Sequence, residues 1–219
     1  MTTHRLIQEL LDLQNAYARV PRAIVTGERL QHELSKGAKE IDVKRQDLRE
    51  PLLEHVGHLP VLASFLHSRI EHSREVNLGR VLVMLSIRDI GETVVGDVLA
   101  YDKKPGETEK ENEVARKLLP TDLVVYFDEF EERETLDAKY AKSIDAIAPF
   151  LHEIGMPNLT RKRFAAYGFG SKNIEAKKRV LFEWDEVLKD MFAEILDAFH
   201  KIERGEQSGF KVVADLKID

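Results

Sequence analysis

The chain has 219 residues, enough for one good-sized core, and its 33% charged and 43% hydrophobic content is that of an ordinary globular protein. Thirty-three Lys and Arg against 39 Asp and Glu give a net charge of -6, which argues against nonspecific nucleic-acid binding. With no cysteine there is no disulfide and no thiolate ligand, so any metal must be held by His, Asp and Glu.

The opening MTTHRLIQELLD is too polar for a secretory segment. The longest apolar run, Val81 to Ile87, is far short of a membrane span. The expectation is a cytoplasmic protein with no membrane association. Thr2 and Thr3 can cap a first helix in which Leu6, Ile7, Leu10, Leu11, Leu13, Tyr17 and Val20 keep helical spacing, until Pro21 ends or kinks it. Residues 27–50 form a charged excursion with two glycines. Pro51 suits the start of a new helix, whose apolar face is Leu52, Leu53, Val56, Leu59, Leu62, Ala63, Leu66 and Ile70, with a kink expected at Pro60. That helix carries His55 and His58, three apart on one face; a structural pair and a ligating pair are both compatible with this spacing.

The run Leu78 to Ala100 begins as the most hydrophobic helix of the chain and then presents Arg88, Asp89, Glu92 and Asp97. Either an amphipathic helix reaches solvent there or a site uses the charges. A turn at YDKKPGETEKE leads to a charged helix ending near Leu119, Pro120 breaks it, and a further helix runs through Phe130. Leu136, Tyr140, Ile144, Ile147, Ala148 and Leu151 mark the next, with Asp145 beside the stripe and Gly155 as its expected cap. MPNLTRKRFAAYGFGSKN reads as loop with at most a short helix. From Val180 to Phe199 ten large apolar residues recur at steps of three and four, predicting a helix packed partly within the domain and partly against a second copy, hence a homodimer. The tail 205–219 has a short β-prone patch at Phe210–Val213. With no convincing strand pattern before it, the fold class is all-α: a single helical domain over 1–204, its C-terminal helical part at 160–204.

Four ordered blocks, ARVPR (Ala18–Arg22), LEHVGHLPVLASFL (Leu53–Leu66), NLGRVLVMLSIRDIGETVVGDVLAYDK (Asn77–Lys103) and AKYAKSIDAIAPFL (Ala138–Leu151), resemble the HD-domain metal-dependent phosphohydrolases, in particular the branch of the 5′-deoxynucleotidases. The resemblance implies an HD-domain-like helical bundle and metal ligands at His55, Asp89 and Asp145. It also implies a catalytic carboxylate at Glu92, a sugar contact at Asp97 and a nucleotide contact at Arg22. In one place the chain departs from the family pattern: the signature His-Asp pair reads Arg88-Asp89. A guanidinium has no available lone pair and keeps its charge in proteins, so Arg88 cannot ligate a metal; His58 is the candidate substitute ligand. Ala23 also stands where the family often has tryptophan.

Two functions follow from the resemblance. On the first, the chain would be an HD-family phosphohydrolase acting on a nucleotide monophosphate or other small phosphate ester, with a divalent metal (Mn, Co, Mg, Ni or Zn) retained by a reduced ligand set. Alternatively, it is a catalytically inactive HD fold, its metal lost, that binds a nucleotide or a protein partner. A helical interaction module without metal or nucleotide affinity is a third, plainer reading.

Overall fold

The computed structural model describes residues 12–13, 16–17, 20–25, 49–98 and 103–210. Two short strands, β1 (Pro21–Val25) and β2 (Arg49–Pro51), pair antiparallel. Helices follow: α1 (Leu52–His67), α2 (Leu78–Ile87), the single turn α3 (Glu92–Val95), α4 (Glu107–Leu118), α5 (Thr121–Glu132), α6 (Leu136–Gly155), α7 (Pro157–Tyr167), α8 (Ser171–Lys178), a 3-10 turn at Arg179–Leu181, and α9 (Glu186–Glu203). The all-α class holds. The small β pairing is an addition the sequence pattern did not show, since three residues at Arg49–Pro51 are too few to display a period of two. Among the described residues no helix is long and apolar enough to cross a membrane.

The hub is α6, which packs against α1, α2, α5, α7, α9 and the 3-10 turn. Its small residues Ala138, Ala141, Ala146 and Ala148 are buried and let neighbouring helices approach closely. Thr135 caps its first turn by accepting from the Ala138 amide at 3.1 Å. Its larger residues tie the neighbours down. The buried Tyr140 hydroxyl donates to the Ala63 carbonyl of α1 at 2.7 Å, and burial pushes its pKa upward. Ser143 donates to the Leu181 carbonyl at 2.7 Å and accepts from the Trp184 indole at 3.1 Å. The hydrophobic α2 is one neighbour of this hub, with Val81, Met84 and Leu85 buried, rather than the centre itself.

Several boundaries differ from the sequence pattern. Leu53 is exposed, because α1 turns His55 rather than Leu53 toward the interior. Pro60 lies within α1, whose helix runs on through it. Gly155 is the last residue of α6, and Met156 is the cap. The stretch taken for loop after it is a regular helix, α7, started by Pro157 at its first turn and stopped by Gly168 at φ 67°; its weak amphipathicity hid it. The final apolar stripe is split. Phe182 ends the 3-10 turn, Asp185 caps α9 by accepting from the Leu188 amide at 3.1 Å, and the long helix starts only at Glu186.

That stripe is covered within the chain. Leu188, Phe192, Ile195, Leu196 and Phe199 are buried, Trp184 and Met191 pack against the same core, and only Val180 is largely exposed. Phe192 stacks on Phe182 with ring centres 4.4 Å apart, and Phe150 meets Phe199 edge-on at 5.6 Å. A smaller core of Tyr17, Leu52, Val56, Ile90, Ala115, Leu119 and Phe127 joins the N-terminal residues to α1, α4 and α5. The expectations for residues 27–48, and for the tail beyond residue 210, lie outside the described residues. Phe192→Ala is expected to cost about 3–5 kcal/mol in urea unfolding and to leave the oligomeric state unchanged; unaltered stability, or dissociation of an oligomer, would contradict the internal packing of α9.

Candidate functional site

The site is assembled from four short pieces of chain. α1 turns His55 inward from its second turn, where it is buried. α2 ends at Arg88, its C-terminal cap, a position where the helix dipole favours a cation. The chain then turns, burying Asp89, and starts α3 with the buried Glu92. From the other side α6 supplies Asp145. Glu50, at the end of the β pairing, closes the floor: its carboxylate lies 3.8 Å from His55 Nδ1.

His55 Nε2 lies 3.9 Å from Asp89 Oδ2 and 3.5 Å from Asp145 Oδ1. The donors the resemblance named therefore do converge. The place between them is taken by Arg88. One end of its guanidinium, Nη2, pairs with Asp89 Oδ1, and the other, Nη1, pairs with Asp145 Oδ1; Glu92 Oε1 is 3.9 Å from Nη2. The Asp145 oxygen that Arg88 engages is the same one that faces His55. A divalent ion with bonds of about 2.1 Å would need that oxygen and would sit against a fixed positive charge. At about 4 Å and an effective dielectric near 20, the repulsion is on the order of 8 kcal/mol. With Arg88 in this position the residues do not fit a metal, although His55, Asp89 and Asp145 are otherwise spaced close to what one requires.

Around this cluster stand groups that sequence reasoning missed. Lys142, one turn before Asp145 on α6, pairs with Glu131 at 2.8 Å. It lies over the Phe130 ring at 3.7 Å, and the same ring carries the Arg88 guanidinium at 5.8 Å. Burial, with a smaller push from Arg88 and against the pull of Glu131, brings the Lys142 pKa down to about 8. Tyr17 is held protonated by burial and then by the charges of Asp89 and Glu92, which brings the N-terminal residues to the site. The one sequence signal for Lys142 was its spacing from Asp145; Glu50 was hidden in the charged excursion.

The remaining expected residues are more scattered. His58 lies against His152 of α6, ring centres 5.6 Å apart. Asp97 follows Gly96, at φ 82°, and its charge acts with that of Glu92 on Lys103, which pairs with Glu111 at 2.6 Å. Arg22 is on β1, with its side chain outside the described residues. Beyond His152, the buried Glu153 pairs with Arg163 of α7 and accepts from the Thr160 hydroxyl at 2.7 Å.

His152 gives the stability of the fold a pH dependence. Burial, followed by the charges of His58, His55 and Arg163, lowers its pKa to about 4, whereas an unfolded histidine titrates near 6.5. Its contribution is thus fully present above about pH 6.5 and is lost as the pH falls toward 4, because the unfolded chain takes the proton first. His152→Gln is expected to flatten the fall in melting temperature across that window relative to the native chain. Parallel curves for the two proteins would contradict the assignment.

Comparison with known proteins agrees with the helical fold. Solved structures share the fold, two of them as follows. One, described as a predicted metal-dependent phosphohydrolase from Magnetospirillum magnetotacticum MS-1, is 23% identical with a TM-score of 0.68, over 90% of this chain and 94% of its own. The other, a conserved hypothetical protein from Pyrococcus furiosus, is 20% identical with a TM-score of 0.54, over 86% and 98%. No curated protein matches the sequence. The HD-domain model matches residues 41–181, a stretch that is more than half of the chain and contains Glu50, His55, Arg88, Asp89, Glu92 and Asp145 alike. The chain belongs to the HD-domain family.

Proposed function

We propose that this chain is an HD-domain protein of the phosphohydrolase type whose site binds a small phosphorylated molecule, a nucleotide monophosphate by class, without metal-dependent turnover. The observation that carries this reading is the Arg88 bridge, which joins Asp89 to Asp145 through the oxygen that faces His55. Two carboxylates drawn together in a mostly buried site need a cation. Arg88 supplies one that cannot dissociate and cannot generate a metal-bound nucleophile.

Binding has a physical basis of its own. A guanidinium offers five N–H donors, so two carboxylate contacts leave donors for a phosphate oxygen, and bidentate geometry suits that partner. Lys142, with a pKa of about 8, is mostly protonated at neutral pH and adds a second charge of the right sign. Asp97, just past α3, would suit a sugar hydroxyl, and Arg22 the base or phosphate, as the family resemblance implies. Glu92 lines the pocket rather than moving a proton.

A second reading, metal-dependent hydrolysis of the same class of phosphate ester, is favoured by the spacing of His55 Nε2 from the two aspartates, 3.5 and 3.9 Å, and by the description of the Magnetospirillum protein. It requires Arg88 to leave a mostly buried position.

The natural protein and Arg88→His separate the two. Metal content after purification, and phosphate release from nucleoside monophosphates with added manganese or cobalt, are to be measured on both. The expected result is substoichiometric metal, no release and calorimetrically detectable nucleotide binding in the natural protein, with metal uptake in the histidine variant. Stoichiometric metal with sustained release in the natural protein would overturn the first reading in favour of the second.

A further inference from the structure

A second group of metal-ligating side chains stands outside the cluster around Arg88. Glu71 and His72 come from the turn between α1 and α2, Asp185 from the cap of α9, and one ligand atom of each lies within 4.8 Å of the other two. Glu75 adds a third carboxylate, its Oε1 3.3 Å from His72 Nδ1. The parts are held from several sides. The His72 ring stacks on Trp184, with ring centres 5.8 Å apart and 19° between the planes, and the Trp184 indole donates to Ser143 of the hub helix at 3.1 Å. The His72 amide donates to Asp185 Oδ2 at 3.2 Å, and Asp185 Oδ1 accepts from the Leu188 amide at 3.1 Å. Glu71 Oε2 accepts from the Glu186 amide at 3.4 Å.

Helix capping explains where Glu71 and Asp185 point, but not how their charge is balanced. Of the buried carboxylates, Asp89, Glu92, Asp137 and Glu153 each face an arginine, and Glu50 faces His55. Asp185 is the exception. It is 1% exposed, and among the described residues no lysine or arginine pairs with it, with Glu71 or with Glu75. The start of α9 contributes about half a positive charge against three formal negative ones. Buried carboxylates gathered in this way call for a cation.

We infer that Glu71, His72 and Asp185, with Glu75 beside them, form a site for a divalent ion of the zinc, cobalt and manganese class that staples the α1–α2 turn to the start of α9. An imidazole nitrogen among carboxylate oxygens suits these ions, whereas magnesium and calcium take oxygen ligands. Bonds of about 2.1 Å put neighbouring ligand atoms about 3–3.5 Å apart, so the exposed Glu71 side chain swings inward as the ion enters. Glu71 is exposed and His72 half-buried, so water completes the coordination and the ion exchanges with the medium. It is gained on titration rather than retained through purification. The role is structural, since an ion that binds only the folded chain stabilises it by mass action. The inference does not depend on what the cluster around Arg88 binds.

Trp184 is the only tryptophan of the chain, and its contact with the His72 ring makes it a reporter of this site. Cobalt(II), which quenches the fluorescence of an adjacent indole, is the probe, added to the natural chain after dialysis against a chelator. The expected result is saturable quenching at one ion per chain, reversed by zinc and not by an equal concentration of magnesium. Glu71→Gln, at an exposed position, and His72→Phe, which keeps a stacked ring, are each expected to weaken cobalt binding by about tenfold or more. The absence of saturable quenching, quenching that either variant leaves at full strength, or reversal by magnesium as readily as by zinc would each overturn the inference.

Discussion

Asp89, just past the end of α2, and Asp145, on the neighbouring α6, bring two carboxylates to one point, and a positive charge between them offsets their mutual repulsion. Arg88 supplies it. The residue lies at the end of α2, where the helix dipole already favours a cation, and its planar head engages one oxygen of each carboxylate. The pairing links α2 to the hub helix α6, while His55 brings in α1 through the same Asp145 oxygen. Removing one member of a buried charge cluster of this kind typically costs about 3–5 kcal/mol, because the remaining charges stay desolvated and unbalanced. The guanidinium thus ties the helices together electrostatically, and it engages the same Asp145 oxygen that faces His55.

The surroundings are consistent with a positive centre that is permanent rather than exchangeable. Phe130 presents its ring to both Arg88 and Lys142, an arrangement that accommodates two cations in a partly dry setting. Glu131 anchors Lys142 from outside, so the lysine stays near the cluster without joining the carboxylates within it. Glu50 and Tyr17 close the N-terminal side.

Much of this was legible in the sequence, for reasons that differ from residue to residue. The helical class and the long apolar helices could be read from hydrophobic periodicity, whereas the grouping of His55, Asp89 and Asp145 was implied only by the resemblance of four ordered blocks to the HD-domain family. The substitution at Arg88 was visible as a single letter, and its consequence followed from the chemistry of guanidinium. Long-range assembly was not visible. Lys142 and Glu131 are eleven residues apart on different helices, and only the packing of α5 on α6 brings them together. α7 escaped notice because its sequence lacks a strong apolar face, and its order comes from tertiary contacts such as Thr160 with Glu153. The buried face of α1 was misread in part, since Leu53 fits its apolar spacing and only the orientation of His55 shows which way the helix is turned.

The central claim is that Arg88 and Asp145 are energetically coupled in the folded protein in the absence of any divalent ion. A double-mutant cycle measures this most directly: urea unfolding, in the presence of a chelator, of the natural chain, Arg88→Met, Asp145→Asn and the double variant. The account predicts a coupling of about 1.5–3 kcal/mol, with the double variant more stable than the two single losses added together imply. Effects that add within about 0.5 kcal/mol would contradict it, and would mean that Arg88 is not the cation that holds the two carboxylates in place.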